Sequence, residues 1–178
     1  SFLLVILIGV SGGIYLAAAK RGILYRLVNT LSVAVISIPG FCVALILIWV
    51  FSERLRILPT SGVSGWKSYV MPAMALALPN IGSIMRLTQS SIEKEMGKRY
   101  VEAAYSKGYG ELSIIFLHVL RNSMIPVVTM AGNFLGGILG GAAVVEGIFS
   151  IPGLGGYALT AISGRDYPAL QGYVLITG

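Results

Sequence analysis

Long apolar runs, separated by shorter polar segments, make up most of the sequence. A helix needs about 20 apolar residues to cross the hydrocarbon core of a bilayer. We therefore predict membrane spans at residues 2–19, 27–51, 69–88 and 123–146, and the start of a further span at 172–178. The pattern predicts an all-α polytopic membrane protein. Because both ends of the chain lie in apolar sequence, we expect a fragment of a longer protein.

Prolines lie inside two of these apolar runs. Pro39 interrupts the second predicted span, and Pro72 and Pro79 interrupt the third. Proline has no backbone N–H and its ring crowds the preceding helical turn. We therefore expect kinks at these positions.

The composition agrees with a membrane protein. Apolar residues make up 56% of the chain and charged residues 11%, whereas a soluble domain is about a quarter charged. With a mean hydropathy of +0.84, a disordered chain, a disulfide scaffold and a soluble nucleotide-binding domain are excluded as the main interpretation. Cys42 is the single cysteine, and we interpret it as a small buried thiol.

The net charge of +6 is explained by membrane topology. Nine of the 13 Lys and Arg residues lie in segments 20–26 and 86–122, and four lie in the other connections. Because Lys and Arg accumulate on the cytoplasmic side, we predict that 86–122 faces the cytoplasm. Segments 52–68 and 147–171, the latter predicted as an outer loop, then face outward. The charge does not call for a nucleic-acid partner.

The cytoplasmic segment, 89–122, is patterned as two short helices. Its second half carries an apolar stripe at helical spacing, formed by Leu112, Ile115, Phe116, Val119 and Leu120. Gly108 and Gly110 lie where the first helix should end, since glycine tolerates the left-handed conformation that closes many helices. Two interpretations are open at this point: an amphipathic hairpin that rests on lipid, or a docking element for a cytoplasmic partner.

Residues in this segment carry a resemblance to a known family. Glu102-Ala103-Ala104, followed three residues later by Gly108, resembles the EAA signature of permease subunits of bacterial ABC importers. That signature usually ends Ile-x-Leu-Pro, and here His118 and Arg121 replace the Ile and the Pro. The departure fits one branch of the family. Four motifs in order, YVEAAYSKG (100–108), HVLRNSMIPVVT (118–129), GGAAVVEGIFSIPGLG (140–155) and RDYPALQG (165–172), resemble the oligopeptide, dipeptide and nickel importers, and within them the first of two paired permeases.

The resemblance implies a type I ABC importer transmembrane domain with a cytoplasmic coupling helix, in a bacterial cytoplasmic (inner) membrane. Its implied partners are a second permease in a heterodimer, two cytoplasmic ATPase subunits that bind ATP and Mg²⁺, and an extracytoplasmic solute-binding protein. Peptides are the expected solute, with nickel or an opine-type metal chelate as the alternative. Residues expected to couple to the ATPase are Glu102, Ala103, Ala104, Tyr105 and Gly108, with Leu112 and Phe116 tying the docking element to the next span.

Further candidate residues lie within the spans. Gly132, Gly136 and Gly140 recur every four residues, as in close helix packing. They could pack within the chain, pack across the paired permeases or line a pore. Polar residues at membrane depth are functional candidates: Asn80 and Asn133 could face a solute pathway or another helix. Glu146 could form an outer gate or touch the binding protein, or it could be a solvated helix end.

The sequence offers no catalytic or metal site. One His and one Cys do not form a zinc or nickel cluster, and the GxxxxGK[ST] phosphate-binding pattern is absent from these 178 residues. We therefore expect a transport subunit that binds no cofactor itself, with ATP hydrolysed by another polypeptide. A secondary transporter and a membrane scaffold remain as alternatives from other classes, and ATP-dependent uptake would separate them from the importer.

Overall fold

The structure, a computed structural model, describes residues 1–19, 22–139 and 142–177. These residues form helices, turns and irregular connections, without a strand. The α-helices are α1 (Phe2–Ala18), α2 (Ile23–Ser37), α3 (Gly40–Leu47), α4 (Val70–Met96), α5 (Arg99–Ser106), α6 (Glu111–Ile114), α7 (Leu120–Leu139), α8 (Ala143–Phe149), α9 (Leu154–Ser163) and α10 (Tyr167–Thr177). Residues Ile48–Arg54 continue α3 as a π-helix, Trp66–Tyr69 form a 3-10 turn before α4, and Ile115–Val119 form a π-helix between α6 and α7.

Among the described residues, two continuous helices are long and apolar enough to cross a membrane. They are Trp66–Met96 and Glu111–Leu139. Two further pairs within the described ranges qualify only when each is taken together: Ile23–Ser37 with Gly40–Arg54, and Ala143–Phe149 with Leu154–Ser163, the latter bent by 93°. The apolar helix α1 has 17 residues.

The prolines differ in their effect on the helices. The predicted interruption at Pro39 coincides with the break between α2, which ends at Ser37, and α3, which begins at Gly40. By contrast, α4 continues through Pro72 and Pro79 as one helix. Pro72 lies in the first turn of α4, where the missing N–H has no helical partner to lose.

Helix boundaries differ from the predicted segments at several points. Helix α4 continues to Met96, beyond the predicted span 69–88. The apolar run 123–146 is divided between α7, which ends at Leu139, and α8. The predicted outer loop 147–171 contains α9 and the start of α10. Asp166 caps α10, since its Oδ1 accepts the Ala169 N–H at 3.1 Å.

The chain divides into two compact units. Unit 1 comprises Ile38–Leu78 and Asn133–Gly178, together with Ser1. Its core joins α3, the start of α4 and α8 through buried residues Val43, Ala44, Leu47, Met71, Ala75, Val145 and Phe149. A hydrogen bond from the Gly62 N–H to the Phe149 carbonyl, at 2.9 Å, ties the 55–65 connection to the end of α8.

Unit 2 comprises Phe2–Ser37 and Pro79–Gly132. Within it α1 crosses α4 closely, because Gly9 and Gly13 of α1 face Ile84, Met85 and Thr88. A Cβ at Gly13 would lie 2.6 Å from the Met85 carbonyl oxygen. Helix α2 is joined to α4 by a hydrogen bond from Arg86 Nη1 to Asn29 Oδ1 at 2.8 Å.

Candidate coupling site

The predicted coupling segment contains a short helix with a well-defined end. Helix α5 begins after Lys98, which is extended, and its last residue is Ser106. Gly108 follows in the left-handed conformation, with φ 84°. The Gly108 N–H donates to the Tyr105 carbonyl at 2.9 Å and the Tyr109 N–H to the Ala104 carbonyl at 3.3 Å. This is the Schellman arrangement, so the prediction that Gly108 lies at the end of the first helix is confirmed.

A buried apolar cluster fastens α5 to its neighbours in unit 2. It consists of Ile92 from α4, Val101 and Ala104 from α5, Ile114 from α6 and Val119 from the following π-helix. We call this the hinge cluster. Its members come from both sides of α5 along the chain, so α5 is packed against the end of α4 and against the turns that lead into α7.

Polar contacts reinforce the turn from α4 into α5. Glu95 accepts hydrogen bonds from Lys98 Nζ at 2.5 Å and from the Tyr100 hydroxyl at 2.8 Å. The bond to Glu95 raises the pKa of Lys98. Burial raises the pKa of Tyr100, and its bond to Glu95 adds to the rise.

The predicted EAA residues occupy two faces of α5. Ala104 is 6% exposed and belongs to the hinge cluster, so its small side chain packs within the chain. Glu102, Ala103, Tyr105 and Gly108 are exposed. The exposed face of α5 is therefore the part that another protein could contact.

Leu112 and Phe116 do not have the positions expected from the apolar stripe. They are 60% and 56% exposed, whereas Ile114, Ile115 and Val119 are buried. Within unit 2, Ile114 and Val119 make the tie to the next helix, and Val119 is a member of the predicted stripe. That Leu112 and Phe116 take part in coupling stays a prediction.

Sequence reasoning also missed Ile92 and Glu95, which hold α5 from the α4 side. Both lie in the polar part of the segment, and their contacts depend on the turn at Met96–Lys98. A signal was nevertheless present: Ile92 is an isolated apolar residue in a polar stretch.

The glycines predicted to pack helices have open surroundings. A Cβ built on Gly132 or Gly136 would meet no atom within 4 Å among the described residues. Gly140 lies outside the described residues. Close packing within the chain is instead made by Gly9 and Gly13, whose four-residue spacing in α1 is the signal that sequence reasoning overlooked.

The candidate pathway residues have separate environments. Asn80 is half-buried in α4, and Asn133 is exposed on α7. Glu146 Oε2 accepts the Gly156 N–H at 2.7 Å, at the third residue of α9. A carboxylate there complements the positive end of the helix dipole. Glu146 therefore caps α9 across the 93° bend between α8 and α9. This role differs from a solvated helix end, one of the interpretations of Glu146 given above.

Comparison with known proteins identifies the family. The sequence profile of the family described as "Binding-protein-dependent transport system inner membrane component" matches residues 9–178. The chain belongs to this family. The predicted resemblance to permeases of binding-protein-dependent ABC importers is thereby confirmed, as is the all-α, type I ABC importer transmembrane fold. With its apolar helices, this inner membrane component is an integral membrane protein.

Curated relatives of this inner membrane component are named for glutathione transport. The glutathione transport system permease protein GsiC of Escherichia coli (strain K12) is 37% identical over 171 residues, covering 96% of this chain and 56% of the relative. GsiC of Salmonella paratyphi A is 38% identical over 176 residues, covering 99% of this chain and 58% of the relative. The chain thus spans a little over half the length of the relatives it matches.

The coupling segment of this family member has one buried face and one exposed face. Among the described residues there is no group of three or more His, Cys, Asp or Glu side chains placed to hold a metal ion. What the segment offers is a short helix, fixed on its inner face by the hinge cluster and exposed on its outer face.

Proposed function

We propose that the chain is the permease subunit of an ABC importer that carries peptides across the bacterial cytoplasmic membrane. ATP hydrolysis takes place on two separate ATPase subunits, which bind ATP and Mg²⁺. A second permease forms a heterodimer with this one, and an extracytoplasmic binding protein delivers the solute. Family membership and similarity to glutathione permeases support the proposal.

The hinge cluster is the observation that carries the proposal. Val101 and Ala104 pack against Ile92 of α4 and against Ile114 and Val119 before α7. Because packed interiors resist deformation, a displacement of α5 is passed to the helix ends that contact it as a rigid-body motion. A loop without such a cluster would absorb the displacement.

The exposed face of α5 is the proposed contact with the ATPase. Glu102, Ala103 and Tyr105 lie there, with Gly108 at the end of the helix. Ala103 lets the helix approach a groove closely, and Tyr105 supplies a large partly apolar ring of the kind that anchors protein interfaces. Ala104 contributes from the opposite face, by seating α5 on the hinge cluster.

Peptides are the proposed solute class because glutathione, for which the relatives are named, is a tripeptide. The test is uptake into proteoliposomes that contain the full-length permease, its paired permease, both ATPases and the binding protein. Radiolabelled glutathione and alanyl-alanine are the probes. We expect uptake that requires both ATP and the binding protein. Uptake of a nickel–histidine complex alone would favour the metal alternative, uptake driven by a proton gradient a secondary transporter, and no flux a scaffold.

A further inference from the structure

A buried carboxylate connects the end of α4 to α5. Glu95 is 9% exposed, and each of its two oxygens accepts a hydrogen bond from a residue on the α5 side of the turn. Oε1 is bonded to Lys98 Nζ at 2.5 Å, and Oε2 to the Tyr100 hydroxyl at 2.8 Å. Tyr100 also interacts with Asn122 of α7 through its side chain. One carboxylate on α4 is thus linked to α5 and, through Tyr100, to α7.

The hydrogen bonds of Glu95 add a directional constraint on α5, which the apolar hinge cluster does not provide. Apolar packing is non-directional, so the hinge cluster keeps α5 against Ile92, Ile114 and Val119 without by itself fixing the angle at which α5 leaves α4. Hydrogen bonds depend on distance and angle, and those to a charged group are stronger than neutral ones. Removing one partner would leave a buried charge poorly satisfied. The contacts of Glu95 therefore fix the angle at which α5 leaves α4.

We propose that Glu95 and Tyr100 are positioning residues for coupling, which hold α5 so that it moves with α4 and α7 as one body. They act through α5 and do not themselves contact the solute or the nucleotide. This inference rests on the proposed function, because it concerns how the motion of α5 reaches the membrane helices.

The test compares Glu95→Gln and Tyr100→Phe with a matched control, Glu93→Gln. Glu93 lies on the same helix, but it is exposed and accepts a hydrogen bond from Gln89 of α4 itself, at 2.8 Å. Its loss leaves the α4–α5 turn unchanged. Tyr100→Phe removes only a hydroxyl, so the aromatic ring keeps its packing.

The measurement is the amount of solute imported per ATP hydrolysed, in proteoliposomes with the complete transporter. The probe is glutathione or alanyl-alanine, whichever the wild type imports. We expect the ratio to fall roughly tenfold in Glu95→Gln and Tyr100→Phe, the lower end of the range expected for the loss of a hydrogen bond to a charged group. Assembly and ATP hydrolysis should persist, and Glu93→Gln should keep the wild-type ratio. A purely structural role would lower the amount of assembled transporter and leave the ratio unchanged.

A second measurement is needed if the Glu95→Gln permease does not assemble with its partner subunits. Hydrogen exchange in the Tyr100→Phe transporter should show faster exchange at the α5 amides, with the α1 amides unchanged. Wild-type ratios and wild-type exchange in Tyr100→Phe would overturn the inference while leaving the proposed function intact. A wild type that imports neither probe in an ATP-dependent manner would instead overturn the proposed function.

Discussion

Gly108 has a backbone conformation that few other residues adopt. Its φ of 84° lies in the left-handed region, and no atom lies within 4 Å of the position that a Cβ would take. A side chain there is therefore opposed by backbone strain and not by crowding. This conformation costs a non-glycine residue about 1–2 kcal/mol. The cost is greatest for a β-branched residue, whereas Asn tolerates the conformation.

We predict that Gly108→Val reduces solute import per ATP hydrolysed, while Gly108→Asn keeps most of the wild-type ratio. Valine would unwind the end of α5 and disturb the Schellman bonds from Gly108 and Tyr109. The two variants are compared in reconstituted transporters, with membrane insertion measured by immunoblot as the control. Normal import by Gly108→Val would count against a role for the fixed end of α5 in coupling.

Gly13 is required by a close approach between helices. A Cβ at this position would lie 2.6 Å from the Met85 carbonyl oxygen, on the backbone of α4. Gly137, on α7, has no atom within 4 Å of its Cβ position among the described residues. Both glycines are helical, so alanine gains helix propensity at both, by up to about 1 kcal/mol.

We predict that Gly13→Ala lowers the free energy of unfolding by about 1–3 kcal/mol, because α1 and α4 must separate, and that Gly137→Ala is neutral or stabilising. Reversible unfolding by SDS in mixed micelles measures both variants. Equal effects at the two positions would show that α1 and α4 do not cross as described.

At the scale of elements, Ile114 and Leu112 of α6 have opposite environments. Ile114 is fully buried in the hinge cluster, whereas Leu112 is 60% exposed. Because they are two residues apart in one helix, about 200° around its axis, they lie on nearly opposite faces. Ile114 therefore holds α6 in the core of unit 2, and Leu112 does not.

Alanine substitutions test this difference between the two faces of α6. We predict that Ile114→Ala costs about 2–4 kcal/mol of unfolding free energy, as for other large-to-small changes in a core. Leu112→Ala should cost less than about 1 kcal/mol, as for a surface substitution. Both are measured by SDS unfolding of the permease without its partners. A larger loss for Leu112→Ala would place Leu112, and not Ile114, on the packed face of α6.

Local features of the chain were readable from the sequence, and contacts between distant segments were not. The helical nature of the apolar runs, the break at Pro39 and the end of α5 at Gly108 depend on residues within one or two turns. The cap at Glu146 depends on Gly156, ten residues away across a bend. The crossing of α1 and α4 depends on Gly13 meeting Met85, which periodicity within one helix cannot show. The burial of Ile114 depends on Ile92 and Val101 of other helices, which the apolar stripe of one segment cannot show.

At the scale of the whole molecule, the placement of α5 on the cytoplasmic side decides whether an ATPase can reach it. The asymmetry of nine basic residues against four predicts that Ser106, at the end of α5, faces the cytoplasm and that Ser61, in segment 52–68, faces outward. Both serines are exposed. Cys42 is the single cysteine, so a Cys42→Ala background permits one new thiol at a time.

We predict that a membrane-impermeant maleimide labels Ser61→Cys, and not Ser106→Cys, in right-side-out vesicles. In inside-out vesicles the maleimide should label Ser106→Cys and not Ser61→Cys. Cysteine is close to serine in size, so each substitution preserves the local structure, and labelling after detergent solubilisation controls for thiol reactivity. Labelling of Ser106→Cys from the outside would place the hinge cluster on the wrong side of the membrane for a cytoplasmic ATPase. In that case α5 could not be the coupling helix, however well its geometry suits the role.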